Sequence, residues 1–189
     1  FAFGYGTGGG LWNGNSTYAV VDESVNGYTL SPDSLSIDSS QLSEGSGTLG
    51  TTAVYDLDGN GADIRLVNSI ELGASASFIK VTSTITNVSA NSLSNFHFWV
   101  GTKDDYIGTD DNPGKTRGNL TDGSFEVLSE AGAVSNAIKV ESGSEGVLFY
   151  STNTTGVYTT VRPYNDFQDV VEKDPATAEI TVPTQDSGY

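Results

Sequence analysis

Apolar and polar residues alternate along much of this chain, in short runs rather than long ones. The clearest run is Ser77 to Thr86, where Ile79, Val81 and Ile85 fall on one face and Lys80, Thr82, Thr84 and Thr86 on the other. A period of two puts successive side chains on opposite sides of an extended backbone, and it predicts a half-buried strand. Shorter runs of β-branched and aromatic residues fall at 18–21, 51–56, 64–72, 96–100, 125–128, 137–140, 146–151, 157–161 and 178–182, most of them flanked on at least one side by Gly, Asn, Asp or Ser. That punctuation is what strands with tight connections leave in a sequence. Another apolar stretch, Val25 to Ile37, is broken at Ser31-Pro32-Asp33. The opening FAFGYGTGGGLWNGN predicts an irregular first strand whose aromatics fill the core, or else a ligand loop where glycine permits close backbone approach. Residues 36–50 read as exposed loop, and only Asp166 to Lys173 offers a short helix. The fold class expected is all-β, an antiparallel β-sandwich, with residues 1–189 forming a single ligand-binding domain.

One stretch interrupts the pattern. Behind the apolar run Phe96-His97-Phe98-Trp99-Val100, the segment Gly101 to Phe125 reads as a long loop carrying Asp104, Asp105, Asp110, Asp111, Asn112, Asn119 and Asp122. Only two nearby cations follow the acids, Lys115 and Arg117. Long loops in compact domains are functional or disordered, and the aromatic entry with its fixed turn residues favours order. Ordered carboxylates in such numbers repel unless something offsets them. Calcium, which takes about six to eight oxygens from carboxylates, amides, carbonyls and water, is the simplest candidate. A solvated acidic loop, a purely structural calcium and a calcium that also touches ligand are the three readings.

A second acidic turn is Asp56-Leu-Asp58-Gly-Asn60-Gly61-Ala-Asp63. Its spacing matches the first half of an EF-hand loop, but Val67 stands where the closing Glu belongs and the flanks read as strands. Asp58-Gly59 and Asn60-Gly61 are equally good hairpin turns. A plain hairpin and a calcium turn using Asp56, Asp58, Asn60 and Asp63 remain open.

Composition narrows the function. Asp and Glu number 24 against 8 Lys and Arg, a formal charge of −16. That balance argues against nucleic acid and anionic membrane surfaces, which attract Lys and Arg. With no Cys there is no disulfide framework and no thiolate metal site, and a single histidine, His97, rules out a multi-histidine zinc site. His97 lies inside the aromatic run, so no Ser-His-Asp arrangement is evident, and the chain reads as a non-enzyme. No apolar run reaches the roughly 18 residues that span a bilayer. No signal peptide is visible, and the abrupt ends suggest a segment of a longer protein.

At Asn95-Phe-His-Phe-Trp-Val-Gly-Thr-Lys-Asp-Asp-Tyr-Ile-Gly108, and again at Asp111-Asn-Pro-Gly-Lys-Thr-Arg-Gly-Asn119, the chain resembles the calcium-dependent peptide-binding domain of giant bacterial RTX adhesins, of the marine ice-binding and vibrio types. The glycine-rich opening, the Tyr55 to Asp63 turn and Ser144-Glu-Gly-Val-Leu-Phe-Tyr150 share in the resemblance, which therefore covers most of the chain. It implies a calcium-containing β-sandwich with long ligand-binding loops, on the bacterial cell surface, gripping the free C-terminus of peptides of host or neighbouring-cell proteins in adhesion and biofilm formation. It makes Asp104, Asp105, Asp110, Asp111 and Asn119 calcium-ligand candidates. It makes Lys115 and Arg117 candidates for orienting a carboxylate; Tyr106 is a candidate for packing the last side chain. The competing expectations are a calcium-dependent carbohydrate-binding module using Trp12, Trp99 and Tyr106, and a calcium-rigidified adhesin spacer.

Overall fold

The structure is a computed structural model that describes residues 2–5, 17–20, 32–37, 47–55, 63–93, 96–101, 105–163 and 173–189. Among these, every regular element is a β-strand except a 3-10 turn at Pro175–Thr177. The strands are β1 (Ala2–Tyr5), β2 (Thr17–Val20), β3 (Pro32–Ile37), β4 (Gly47–Tyr55), β5 (Ile64–Leu72), β6 (Ile79–Asn87), β7 (His97–Trp99), β8 (Gly114–Thr121), β9 (Ser124–Val127), β10 (Ala137–Ser142), β11 (Glu145–Tyr150), β12 (Arg162–Pro163), β13 (Thr181–Val182) and β14 (Ser187–Gly188). All their pairings are antiparallel. The all-β antiparallel class expected from the period of two is therefore what the chain adopts. No helix among the described residues is long and apolar enough to cross a membrane.

The chain divides into two compact units, Glu23–Leu93 and a second made of Phe1–Asp22 with Ser94–Tyr189. The first is the sheet β3-β4-β5-β6. Here β5 shows why alternation makes a strand: Ile64, Leu66 and Asn68 are buried, while Arg65 and Val67 between them are exposed. Buried Asn68 accepts a hydrogen bond from Ser83 Oγ across the ladder at 2.7 Å, as a buried amide must. Ladder partner β6 departs from expectation. Its apolar residues do share a face, but Val81 is 49% and Ile79 64% exposed, whereas Ile64 at the other end of the ladder is 0%. The apolar face runs past the buried end of the sheet towards the 73–78 turn, taking Leu72 with it.

The second unit holds the sheets β2-β1-β7 and β12-β14 and a five-stranded sheet ordered β11-β10-β8-β13, with β9 also on β8. Ile138 and Val140 of β10 point into a core completed by Ile107, Val161, Val182 and Tyr189. The second half of the expected loop from Gly101 to Phe125 is a hairpin and not a loop. From Gly114 onward it is β8, which turns at Asp122-Gly123, both at positive φ (51° and 80°), into β9. The inward positions of β8 carry Lys115 and Arg117 where a strand would ordinarily carry apolar residues, so its alternation is invisible to hydropathy. Residues 157–161, read as a strand, make no ladder. They hold the 135–136 segment instead, with Ser135 N–H on the Val157 carbonyl and Thr159 N–H on Ser135 Oγ. The glycine-rich 6–16 segment, the 56–62 turn and the short helix from Asp166 lie outside the described residues, apart from Lys173.

Candidate metal centre

The site is built where β8 begins. Ile107 and Asp110 bond each other's backbones across a tight turn, N–H to carbonyl at 3.1 and 3.0 Å, with Gly108 at φ +64° supplying the reversal. That turn sets Asp105 on one side and Asp111 on the other. The C-terminal segment is fastened beside them. Val182 pairs with Lys115 in the ladder, and the Asp186 N–H donates to Asn112 Oδ1 at 3.0 Å. Gly114 is required at this seam, since a Cβ there would lie 2.9 Å from the Pro183 carbonyl. The result is that carboxylate oxygens of Asp105, Asp111 and Asp186 lie within 4.8 Å of one another. Exposure grades across them: Asp105 is 3% exposed, Asp111 half-buried and Asp186 exposed. Such a cluster can hold a metal ion, and its all-oxygen donor set suits a hard cation such as calcium better than a soft one.

Lys115 shares this site. It is wholly buried, forms an ion pair with Asp105, and donates from Nζ to the carbonyls of Pro113 at 3.0 Å and Gln185 at 2.7 Å. Burial pushes its ammonium down to about 8, against the opposing pull of the Asp186 carboxylate. The Asp105 carboxylate acts in the same sense as Asp186, because a neighbouring negative charge favours the ammonium. Three carboxylates against one ammonium leave an excess of two negative charges, which one divalent ion would neutralise.

The other sequence candidates are placed elsewhere or otherwise engaged. Asp110 stands beside the cluster, but its carboxylate accepts from Ser142 Oγ at 2.5 Å and from the Asn112 N–H at 3.0 Å. Those two bonds, Ser142 first, hold its carboxyl below the usual range. Asn119 is committed to a side-chain latch. Its Oδ1 accepts from the Asn136 N–H at 3.0 Å while Asn136 Oδ1 accepts from the Leu120 N–H at 2.8 Å. Arg117, expected to face a ligand carboxylate, is instead wholly buried. Its guanidinium donates to the carbonyls of Ala131 (2.8 Å), Ala178 (3.0 Å), Pro175 (3.3 Å) and Glu179 (3.4 Å) and to Thr159 Oγ1 (3.3 Å). A side chain so engaged cannot also reach an external carboxylate. Lys115, likewise expected to face ligand, is sealed in by Asp105 and two carbonyls, so neither cation contacts solvent. Tyr106, by contrast, is 60% exposed directly after buried Asp105. Asp63 closes the turn between β4 and β5, its N–H on the Tyr55 carbonyl at 2.8 Å. Asp104, Asp56, Asp58 and Asn60 lie outside the described residues.

Sequence reasoning missed Asp186. It stands alone in Pro183-Thr-Gln-Asp-Ser-Gly188, some 75 positions from Asp111, and is brought to the cluster by the β13–β8 pairing together with the Asp186–Asn112 and Lys115–Gln185 hydrogen bonds. No local signal marks it. No family model, curated protein or solved structure matches this chain. What fold and site define together is an antiparallel all-β protein with a carboxylate cluster able to hold a metal ion.

Proposed function

We propose that this chain is a calcium-dependent ligand-binding module of a bacterial cell-surface adhesin, acting outside the cell and gripping the free C-terminus of peptides on a host or neighbouring cell. The observation that carries the reading is the convergence of Asp105, Asp111 and Asp186 from two distant segments, graded from buried to exposed. A calcium ion seated against the buried end would keep coordination positions on the Asp186 side for water or ligand. A terminal carboxylate is a hard oxygen donor that displaces such water. With Lys115 and Arg117 buried, the carboxylate is gripped by the ion itself and not by a cationic side chain. Exposed Tyr106 offers the last peptide side chain a surface to pack on.

The test is titration calorimetry with matched free-acid and amidated peptides, in calcium and in EDTA. The free acid is expected to bind only in calcium. Amidation should weaken it by more than the ~1 kcal/mol of an ordinary hydrogen bond. Equal affinity for the two forms would exclude carboxylate capture, and a glycan array would then examine the carbohydrate reading.

A further inference from the structure

Strand β11 lies at the edge of the five-stranded sheet and is exposed along its whole length. It reads Glu145-Gly-Val-Leu-Phe-Tyr150, and its four large apolar residues are 43% (Val147), 38% (Leu148), 46% (Phe149) and 47% (Tyr150) exposed. Two faces are involved. Val147 and Phe149 share the side of Val140 and Ile138, where Phe149 meets Tyr189 edge-to-face at 5.3 Å and overhangs the core. Leu148 and Tyr150 lie on the opposite side, with Lys139.

The hydrogen-bond phase of the edge follows from one contact. The Ser151 N–H donates to the Asn136 carbonyl at 2.7 Å, just beyond the Tyr150–Ala137 pair. In an antiparallel ladder, bonded and non-bonded pairs alternate. Glu145, Val147 and Phe149 therefore turn their backbone groups towards β10, and Gly146, Leu148 and Tyr150 turn theirs outward. Among the described residues nothing pairs with that outward row. Edges of this kind are ordinarily blunted by Lys, Pro, a bulge or brevity. The long edge strand β6 follows that practice, presenting Lys80 and three threonines. β11 carries one charge, Glu145 at its first position, and none from Gly146 to Tyr150.

We infer that β11 is a strand-addition site for an extended segment of a partner protein that alternates apolar with basic residues. A row of outward N–H and C=O groups is completed only by another extended backbone. The core-side pair Val147 and Phe149 calls for apolar side chains on one face of the added strand, and Leu148 and Tyr150 on the other face give the alkyl stems of its basic residues a surface to lie along. Charge selects the rest. Glu145 and Asp110 mark the Gly146 end, and the Glu145 carboxylate lies against Gly108, 3.1 Å from where a Cβ would stand. A second copy of this chain would bring another −16 to the same edge, whereas a basic strand meets opposite charge.

The probe is the capped peptide acetyl-Lys-Val-Lys-Val-Lys-Val-Lys-amide, with a control in which every Val is Pro, titrated in EDTA into isotopically labelled protein. Capped ends and EDTA remove the metal centre from the measurement. Binding is expected to shift the amide resonances of Gly146, Leu148 and Tyr150 and slow their hydrogen exchange. Leu148→Pro deletes an outward N–H without costing a bond to β10, and should weaken the probe about tenfold or more. Should Leu148→Pro fail to fold, Tyr150→Lys should produce the same loss. Three results would each overturn the inference: equal binding of probe and control, unchanged binding to the folded variant, or edge protection arising from self-association of the protein without probe.

Discussion

At the scale of single residues, two cations decide how the site is understood. A guanidinium or ammonium with no exposure is costly to desolvate, by several kcal/mol, and persists only where partners satisfy it. Arg117 meets that condition with four carbonyls and a hydroxyl drawn from the 131, 159 and 175–179 segments. It is thus a clamp on three chain segments. Arg117→Met should cost roughly 3 kcal/mol or more, because buried acceptors are left unpaired, while calcium affinity of the folded fraction stays unchanged. Urea denaturation with calcium titration reads both. Lys115→Met strips Asp105 of its ammonium and should cost roughly 3–5 kcal/mol in EDTA. If the cluster binds calcium, added calcium should restore more stability to this variant than to the parent, read from paired thermal melts. Tyr189 gives a pH dependence. Burial raises its phenol above the ordinary value of 10.0, so above pH 10 the unfolded chain gives up this proton first and stability falls as pH rises. Tyr189→Phe should lessen that alkaline loss relative to the parent. None of these three roles was visible in the sequence. Lys115 and Arg117 in an acidic stretch read as side chains placed to orient a ligand carboxylate, and burial is a property of the partners that β13 and the 3-10 turn bring from far along the chain.

At the scale of elements, legibility followed hydropathy. The strand expected at 64–72 is β5 to the residue, and those expected at 137–140 and 146–151 lie within a residue or two of β10 and β11. Each carries apolar or β-branched residues in sequence, so alternation or a short apolar run marked it. β8 was lost because its inward side chains are charged, and the 157–161 run became a false strand because its backbone serves a loop. The β8–β9 hairpin shows how differently two of its glycines act. Gly123 has φ +80° and nothing within 4 Å of where a Cβ would stand, so Gly123→Ala carries only backbone strain, about 1 kcal/mol. Gly118 sits inside the ladder, where a Cβ would collide with the Glu126 carbonyl and lie 2.6 Å from Phe125 Cζ. Gly118→Ala must move backbone, and should cost clearly more than Gly123→Ala in the same denaturation experiment. A smaller loss at Gly118 would contradict the packing of β9 on β8.

At the scale of the whole molecule, a chain with a formal charge of −16 repels itself, and two of its cations are buried at 0% exposure and so do not temper the surface. Any cation then stabilises the folded form somewhat by screening, and a melting shift in calcium does not by itself identify a site. The distinction lies in stoichiometry and in one side chain. Binding to the folded state alone stabilises by mass action, about 2.7 kcal/mol when free ligand is a hundred times its dissociation constant. Screening by a monovalent salt shows no such saturation at low concentration. Asp186 is exposed, makes no ladder bond through its side chain, and is the cluster member whose loss least disturbs packing. Asp186→Asn keeps the shape and removes one of the three charges. We expect calcium at millimolar concentration to raise the melting temperature of the parent well beyond an equal ionic strength of sodium chloride. The same calcium should raise Asp186→Asn by distinctly less, while the sodium chloride responses of the two proteins coincide. EDTA should return the parent to its salt-only melt. An equal calcium response in parent and variant, at matched ionic strength, would place the ion elsewhere and leave the cluster as a lysine-compensated fastening of the C-terminal segment.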